Sequence, residues 1–207
     1  LTAASYVRRG ERVAYALCRP PGHHAERSRM GGYCYFNNTA IAAEYLSTRG
    51  RVAILDIDVH HGNGTQNIFY FRADVFVVNI HAHPDTRFPY FTGRDNELGE
   101  GEGIGYNLNF PLPLASRDAV YHRALQSALT RIRQFDPMYL VVSVGYDTHQ
   151  DDPIGGFCLS TEYYSRLARV IAGLHLPTVL IQEGGYNTEM LGIVAQTFVR
   201  GFLVAIE

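Results

Sequence analysis

Short apolar runs alternate with amphipathic stretches along this chain. The runs are Val13–Cys18, Val52–Ile57, Val75–Ile80, Tyr106–Phe110, Tyr139–Val144 and Thr178–Ile181. They are rich in Val, Ile and Leu with little polar alternation, the pattern of strands covered on both faces. Between them the spacing predicts a helix over Thr39–Arg49, capped by Asn38 and ended by Gly50. A second runs from a cap at Ser116 to about Phe135, with Leu125, Leu129 and Ile132 on one face. A third covers Thr161–Leu174, capped by Ser160 and closed off by Pro177, and a fourth covers Glu189–Leu203. Strands alternating with helices mean βαβ units, so the expected fold is α/β with a mainly parallel sheet. His81–Gly105 breaks the rhythm: it is rich in Gly, Pro and charge and has no period, as a functional surface loop would.

Composition narrows the picture. With 207 residues, no repeat and no low-complexity spacer, one domain is the expectation. Hydrophobic residues at 46% and charged residues at 18% suit a soluble globular fold. A formal net charge of −2 gives no pull toward nucleic acid or an anionic membrane surface. No apolar run approaches the ~20 residues that span a bilayer. Cys18, Cys34 and Cys158 lie far apart, which points to reduced thiols and a cytoplasmic setting.

The chemistry gathers where the apolar runs end. In "LDIDVHHGNG", from Leu55 to Gly64, strand alternation puts Asp56, Asp58 and His60 on one side and Ile57 and Val59 on the other. Ligands of open α/β sheets bind outside the carboxyl ends of strands. Two carboxylates crowded there repel each other, and a divalent cation relieves the repulsion. Taken alone, the stretch reads equally well as a polar turn. Three other run ends tip the balance: "RPPGHH" places His23 and His24, "GYDTHQDDP" places Asp147, and "EGGYN" places Tyr186. Asp58, His60 and Asp147 would give zinc three ligands, leave a fourth position open, and balance its charge with two carboxylates.

Together, "RPPGHH", "GGYCYFNN", "LDIDVHHGNGTQ", "GYDTHQDDP" and "EGGYN", in that order, strongly resemble the zinc deacetylases, the histone deacetylase and acetylpolyamine amidohydrolase family. The likeness runs from about Arg12 to the C-terminus. It implies the arginase-like deacetylase fold, a three-layer αβα sandwich, and one catalytic Zn²⁺ on Asp58, His60 and Asp147. It also implies that His23 and His24 move protons, that Asp56 orients His23 and that Asn63 hydrogen-bonds His24. Tyr186 would donate to the developing oxyanion. Gly32, Tyr33 and Gly185 would shape a narrow substrate channel. A structural K⁺ would sit near Asp56, Asn79 and the main-chain oxygens of Asp58 and His60. The implied reaction is hydrolysis of an acetylated amine to acetate and the free amine, which zinc serves by activating water and polarising the carbonyl.

Within the family, Asn63 stands where the nuclear class has aspartate, and "HAHPDTRFPYFTG" resembles the acetylpolyamine branch. Two positions depart from pattern: Ile154, where the polyamine-selective eukaryotic relative has glutamate, and Asn79, where serine is frequent. An acetylpolyamine is therefore the expected substrate and protein acetyl-lysine the alternative. An arginase-like enzyme with two manganese ions and a non-catalytic acyl-amine binder fit the tandem histidines and Tyr186 less well. Family members carry on the order of a hundred residues or more before "RPPGHH", somewhat short of a typical domain. Residues 1–207 are thus expected to be an N-terminally truncated catalytic domain, lacking edge strands and a segment that forms a homodimer in the whole protein.

Overall fold

The computed structural model describes residues 1–206. Among the described residues six strands build one sheet: β1 (Val13–Ala16), β2 (Val52–Asp56), β3 (Val75–Ala82), β4 (Asn107–Leu112), β5 (Tyr139–Val144) and β6 (Thr178–Gln182). Their order is β1-β6-β5-β2-β3-β4, and every neighbouring pair is parallel. The expected mainly parallel sheet is thus wholly parallel.

The alternation inside each central strand explains the layers. Ala53, Leu55, Val78, Ile80, Val142 and Val144 point to one face, where they meet α4 (Asp118–Phe135), α5 (Thr161–Ala172) and α6 (Leu191–Ile206). Val52, Ile54, Val75, Val77 and Val141 point to the other, under α1 (Thr2–Arg8), α2 (Asn38–Ser47) and α3 (Asn63–Phe69). Both faces are apolar because both are covered, and each such Val, Leu or Ile side chain fully buried contributes roughly 1.5–3 kcal/mol.

Several boundaries differ from the sequence expectation. The side chain of Asn37, not Asn38, caps α2, accepting from the amide of Ala40 at 2.8 Å. The helix expected after Ser116 starts at Asp118, since Ser116 Oγ donates to the Pro113 carbonyl instead. Ser160 does cap α5, accepting from the amide of Tyr163. α1 and α3 carried no expectation. β3 runs on through His81 and Ala82, so the long loop begins later, and it holds a 3₁₀ turn at Gly101–Gly103. Among the described residues β1 is an edge strand, paired with β6 alone. No helix among them is long and apolar enough to cross a membrane, and all three cysteines are free thiols.

One feature of the order positions the site. From β2 the chain steps outward to β3 and β4, then returns to lay β5 on the other side of β2 and continues outward to β6. The crevice beyond the carboxyl ends of β2 and β5 is therefore the topological switch point, where open α/β sheets bind ligands.

Candidate active site

β2 stops at Asp56, yet its alternation persists. Ile57 and Val59 stay in the core under α4, and Asp56 and Asp58 are buried on the opposite side. The loop after β5 delivers Asp147 to the same crevice. His60 Nδ1 lies 3.1 Å from both Asp58 Oδ1 and Asp147 Oδ2. Backbone amides hold the carboxylates: His60 and Gly184 donate to Asp58, at 2.8 and 2.9 Å, and Val59 donates to Asp147 at 2.9 Å. The three side chains offer donor atoms within 4.8 Å of one another, and among the described residues they form the only such cluster of His, Cys, Asp or Glu.

The electrostatics of the cluster favour a cation. Burial pushes the Asp147 carboxyl up to about 7, and the charge of Asp58 pushes the same way. Burial also opposes ionisation of Asp58, but His23 and His60 together hold it below the usual range. Burial disfavours a charge on His60, yet its bonds to Asp147 and Asp58 raise it to about 10. A proton on Nδ1 and a divalent cation between the three groups relieve the same repulsion.

The loop after β1 brings in the tandem histidines. His23 Nδ1 lies 2.9 Å from Asp56 Oδ2, and His24 Nδ1 lies 2.8 Å from Asn63 Oδ1, at the start of α3. The two pairings expected from the sequence are both in place. Burial works against a charge on His23, but Asp56 and Asp58 outweigh it and hold the ring well above its ordinary value. His24 is held well below, first by burial and then by His23, whose ring centroid is 4.0 Å away.

A cavity of about 550 Å³ opens above these groups, lined by His24, Gly32, Tyr33, His60, Phe88, Ile154 and Tyr186. Gly32 has φ +53°, and a Cβ there would collide with the ring of His24. Tyr33 follows it at φ +67°, a costly conformation for a bulky residue that turns its ring to the cavity, 6.0 Å from that of Tyr186. Gly185 does not line this cavity; it sits behind Tyr186, beside Tyr146 and Leu191. Asn79 is buried, its amide nitrogen donating to Asn109, while its Oδ1 has no partner.

Two participants escaped the sequence reading. Phe88, from the long loop, stands edge-on to His24 with ring centroids 4.8 Å apart. Glu183 is only 2% exposed. Its carboxylate accepts from the amides of Gly22 at 2.6 Å and His23 at 3.1 Å, and from the Thr39 hydroxyl at 3.0 Å. Burial raises it to about 7 against the opposing charge of His23. The signal for Phe88 lay in its aromatic-rich segment; Glu183 gave none beyond its place beside "GGY".

Gly184 admits a sharp test. A Cβ there would collide with Asp147 Oδ2 and Asp58 Oδ2. Gly184→Ala is expected to weaken metal binding about 10–100-fold, as displaced supports of metal ligands do. Titration of the metal-free protein with zinc checks this, and unchanged affinity would show that the crevice yields freely.

The arrangement is a parallel αβα sandwich with a carboxylate–imidazole cluster and paired histidines at its switch point, and comparison with known proteins gives its family. The histone deacetylase domain profile matches residues 1–202. An acetylpolyamine amidohydrolase of Burkholderia pseudomallei is 49% identical over 203 residues, covering 98% of this chain and 60% of its own. Acetylpolyamine amidohydrolase 1 of Pseudomonas aeruginosa is 50% identical, covering 98% of this chain and 59% of its own. The crystal structure of the acetylpolyamine aminohydrolase from Burkholderia pseudomallei superposes with a TM-score of 0.96 at 48% identity, over 98% of this chain and 60% of that one. The chain belongs to the histone deacetylase domain family. It spans about 60% of the length of these amidohydrolases.

Proposed function

We propose that the protein is a zinc-dependent amidohydrolase that releases acetate from an acetylated amine, with an acetylpolyamine as substrate. One observation carries the reading: the cluster of Asp58, His60 and Asp147, the His23–His24 pair and Tyr186 converge at one apolar cavity. The donor set, one imidazole and two carboxylates, suits zinc. Bound there, zinc would activate water and polarise the amide carbonyl.

The chain's own residues supply the remainder. Asp56 accepts a hydrogen bond from His23 Nδ1, fixing that ring's orientation and leaving Nε2 to exchange protons in the site. Asn63 orients His24 in the same way. Both histidines are within reach of the metal cluster, where proton transfer to and from a reacting amide is needed. Tyr186 presents its hydroxyl to the oxygen that gains charge. Tyr33, Phe88 and Ile154 give the cavity apolar walls suited to an alkyl chain. On this reading residues 1–207 hold the machinery of a zinc deacetylase catalytic domain. The unpartnered Oδ1 of Asn79 supports a structural K⁺ beside Asp56, with the amide oxygen in place of a hydroxyl.

The names of the relatives near 50% identity support the polyamine substrate over acetyl-lysine in proteins. The test is a panel of acetylputrescine, acetylspermidine and an acetyl-lysine peptide, given to the zinc-loaded whole protein. The acetylpolyamines are expected to lead in kcat/KM by at least about tenfold, a difference of ~1.4 kcal/mol in transition-state binding. A lead for the peptide would reassign the substrate. No acetate from any of them, with zinc bound, would remove the hydrolase reading.

A further inference from the structure

Two successive glycines, Gly184 and Gly185, precede Tyr186, and Gly185 sits at φ +137°. Glycine admits more backbone conformations than any other residue, so the direction in which the chain leaves Gly185 is fixed by what holds the residues after it. Asp152, half-buried in the loop that also carries Asp147, supplies that hold. Its Oδ2 accepts from the amides of Tyr186 at 2.7 Å and Asn187 at 3.3 Å. Its Oδ1 accepts from the amide of Ile154 at 3.0 Å. The Asn187 side chain reinforces the link, donating to the Asp151 carbonyl at 2.9 Å and accepting from the amide of Met190 at 3.1 Å, at the approach to α6. One carboxylate thus joins the segments carrying two of the cavity's walls, Ile154 and Tyr186.

We infer that Asp152 is the positioning residue that sets Tyr186 for catalysis, its carboxylate gripping the Tyr186 and Asn187 amides with one oxygen and the Ile154 turn with the other. This rests on the reading of Tyr186 as the oxyanion donor. Hydrogen bonds to an ionised acceptor are roughly twice as strong as neutral ones, and a displacement of about 1 Å in a catalytic group can cost on the order of 10²-fold in rate. The grip acts on the transition state, so kcat carries the effect while KM stays near its starting value.

A double-mutant cycle in the zinc-loaded whole protein tests this. Asp152→Ala is expected to lower kcat roughly 10–100-fold with zinc content unchanged. In the Tyr186→Phe background the same substitution should cost less than about threefold, because the group it positions is gone. Asp152→Asn keeps one oxygen for the Tyr186 and Asn187 amides but turns an NH2 to the Ile154 amide and loses the charge, so it should recover part of the loss. Equal slowing by Asp152→Ala in both backgrounds would overturn the inference, as would an Asn variant as slow as the Ala variant. A slow Tyr186→Phe enzyme would leave the reading of Tyr186 standing in either case. Wild-type turnover by Tyr186→Phe would overturn that reading, and this inference with it. If Asp152→Ala does not fold, Asp152→Ser takes its place in the cycle with the same expected pattern.

Discussion

Asp147→Ala is expected to empty the metal site and abolish activity. Asp147 Oδ2 is one of three donors, and Asp58 and His60 alone cannot hold a tetrahedral ion. The loss in turnover should exceed about 10³-fold, since the Lewis acid supplies several kcal/mol at ~1.4 kcal/mol per tenfold. The fold should survive. The substitution takes the acceptor from the buried amide of Val59, a cost of about 1–3 kcal/mol. It also ends the repulsion between Asp147 and Asp58 that raises the Asp147 carboxyl. Elemental analysis and thermal unfolding of the purified variant separate the two effects. Stoichiometric zinc in Asp147→Ala would sink the ligand assignment.

Tyr186→Phe is expected to lower kcat by about 10²–10³, the cost of removing one oxyanion donor. Zinc content should not change, because Tyr186 is outside the donor cluster. A pH titration gives a second check. Burial, with Asp58 and Asp147 behind it, pushes the Tyr186 phenol above its ordinary value of 10.0. In the metal-free protein the hydroxyl therefore stays protonated, and a spectroscopic titration of that form should show no Tyr186 ionisation below that pH. A phenolate signal below that pH that disappears in Tyr186→Phe would contradict the half-buried position. Undiminished turnover would show that another group serves the oxyanion.

The sequence revealed the sheet because its strands are buried on both faces and write near-continuous apolar runs. It hid the last two residues of β3, His81 and Ala82, because His81 is buried but polar. α3 was hidden for the same reason: Asn63, Thr65 and Gln66 are all buried in it, Gly62 precedes it without a side-chain cap, and no apolar stripe marks it. The candidate metal cluster and the histidine pairings were legible because their side chains stand in recognisable runs. Glu183 and Asp152 were not legible in that way. Each grips main-chain amides far along the sequence, Glu183 reaching back 160 residues to His23, and an amide looks the same in every residue.

The switch point between β2 and β5 also governs how the molecule can come together. Asp58 and Asp147 reach one crevice only after the chain has left to build β3, β4 and α4 and come back. Contacts of such long sequence separation form slowly, since the loop must be closed before they return any stabilisation. No stretch emerging from a ribosome holds the donor set until the loop past β5 is made and seated beside β2. Neither an unfolded chain nor a partly folded half has the site, so a metal held there binds the native state alone. Free metal then acts as a stabiliser by mass action, adding about 1.4 kcal/mol to the unfolding free energy for each tenfold rise above its dissociation constant.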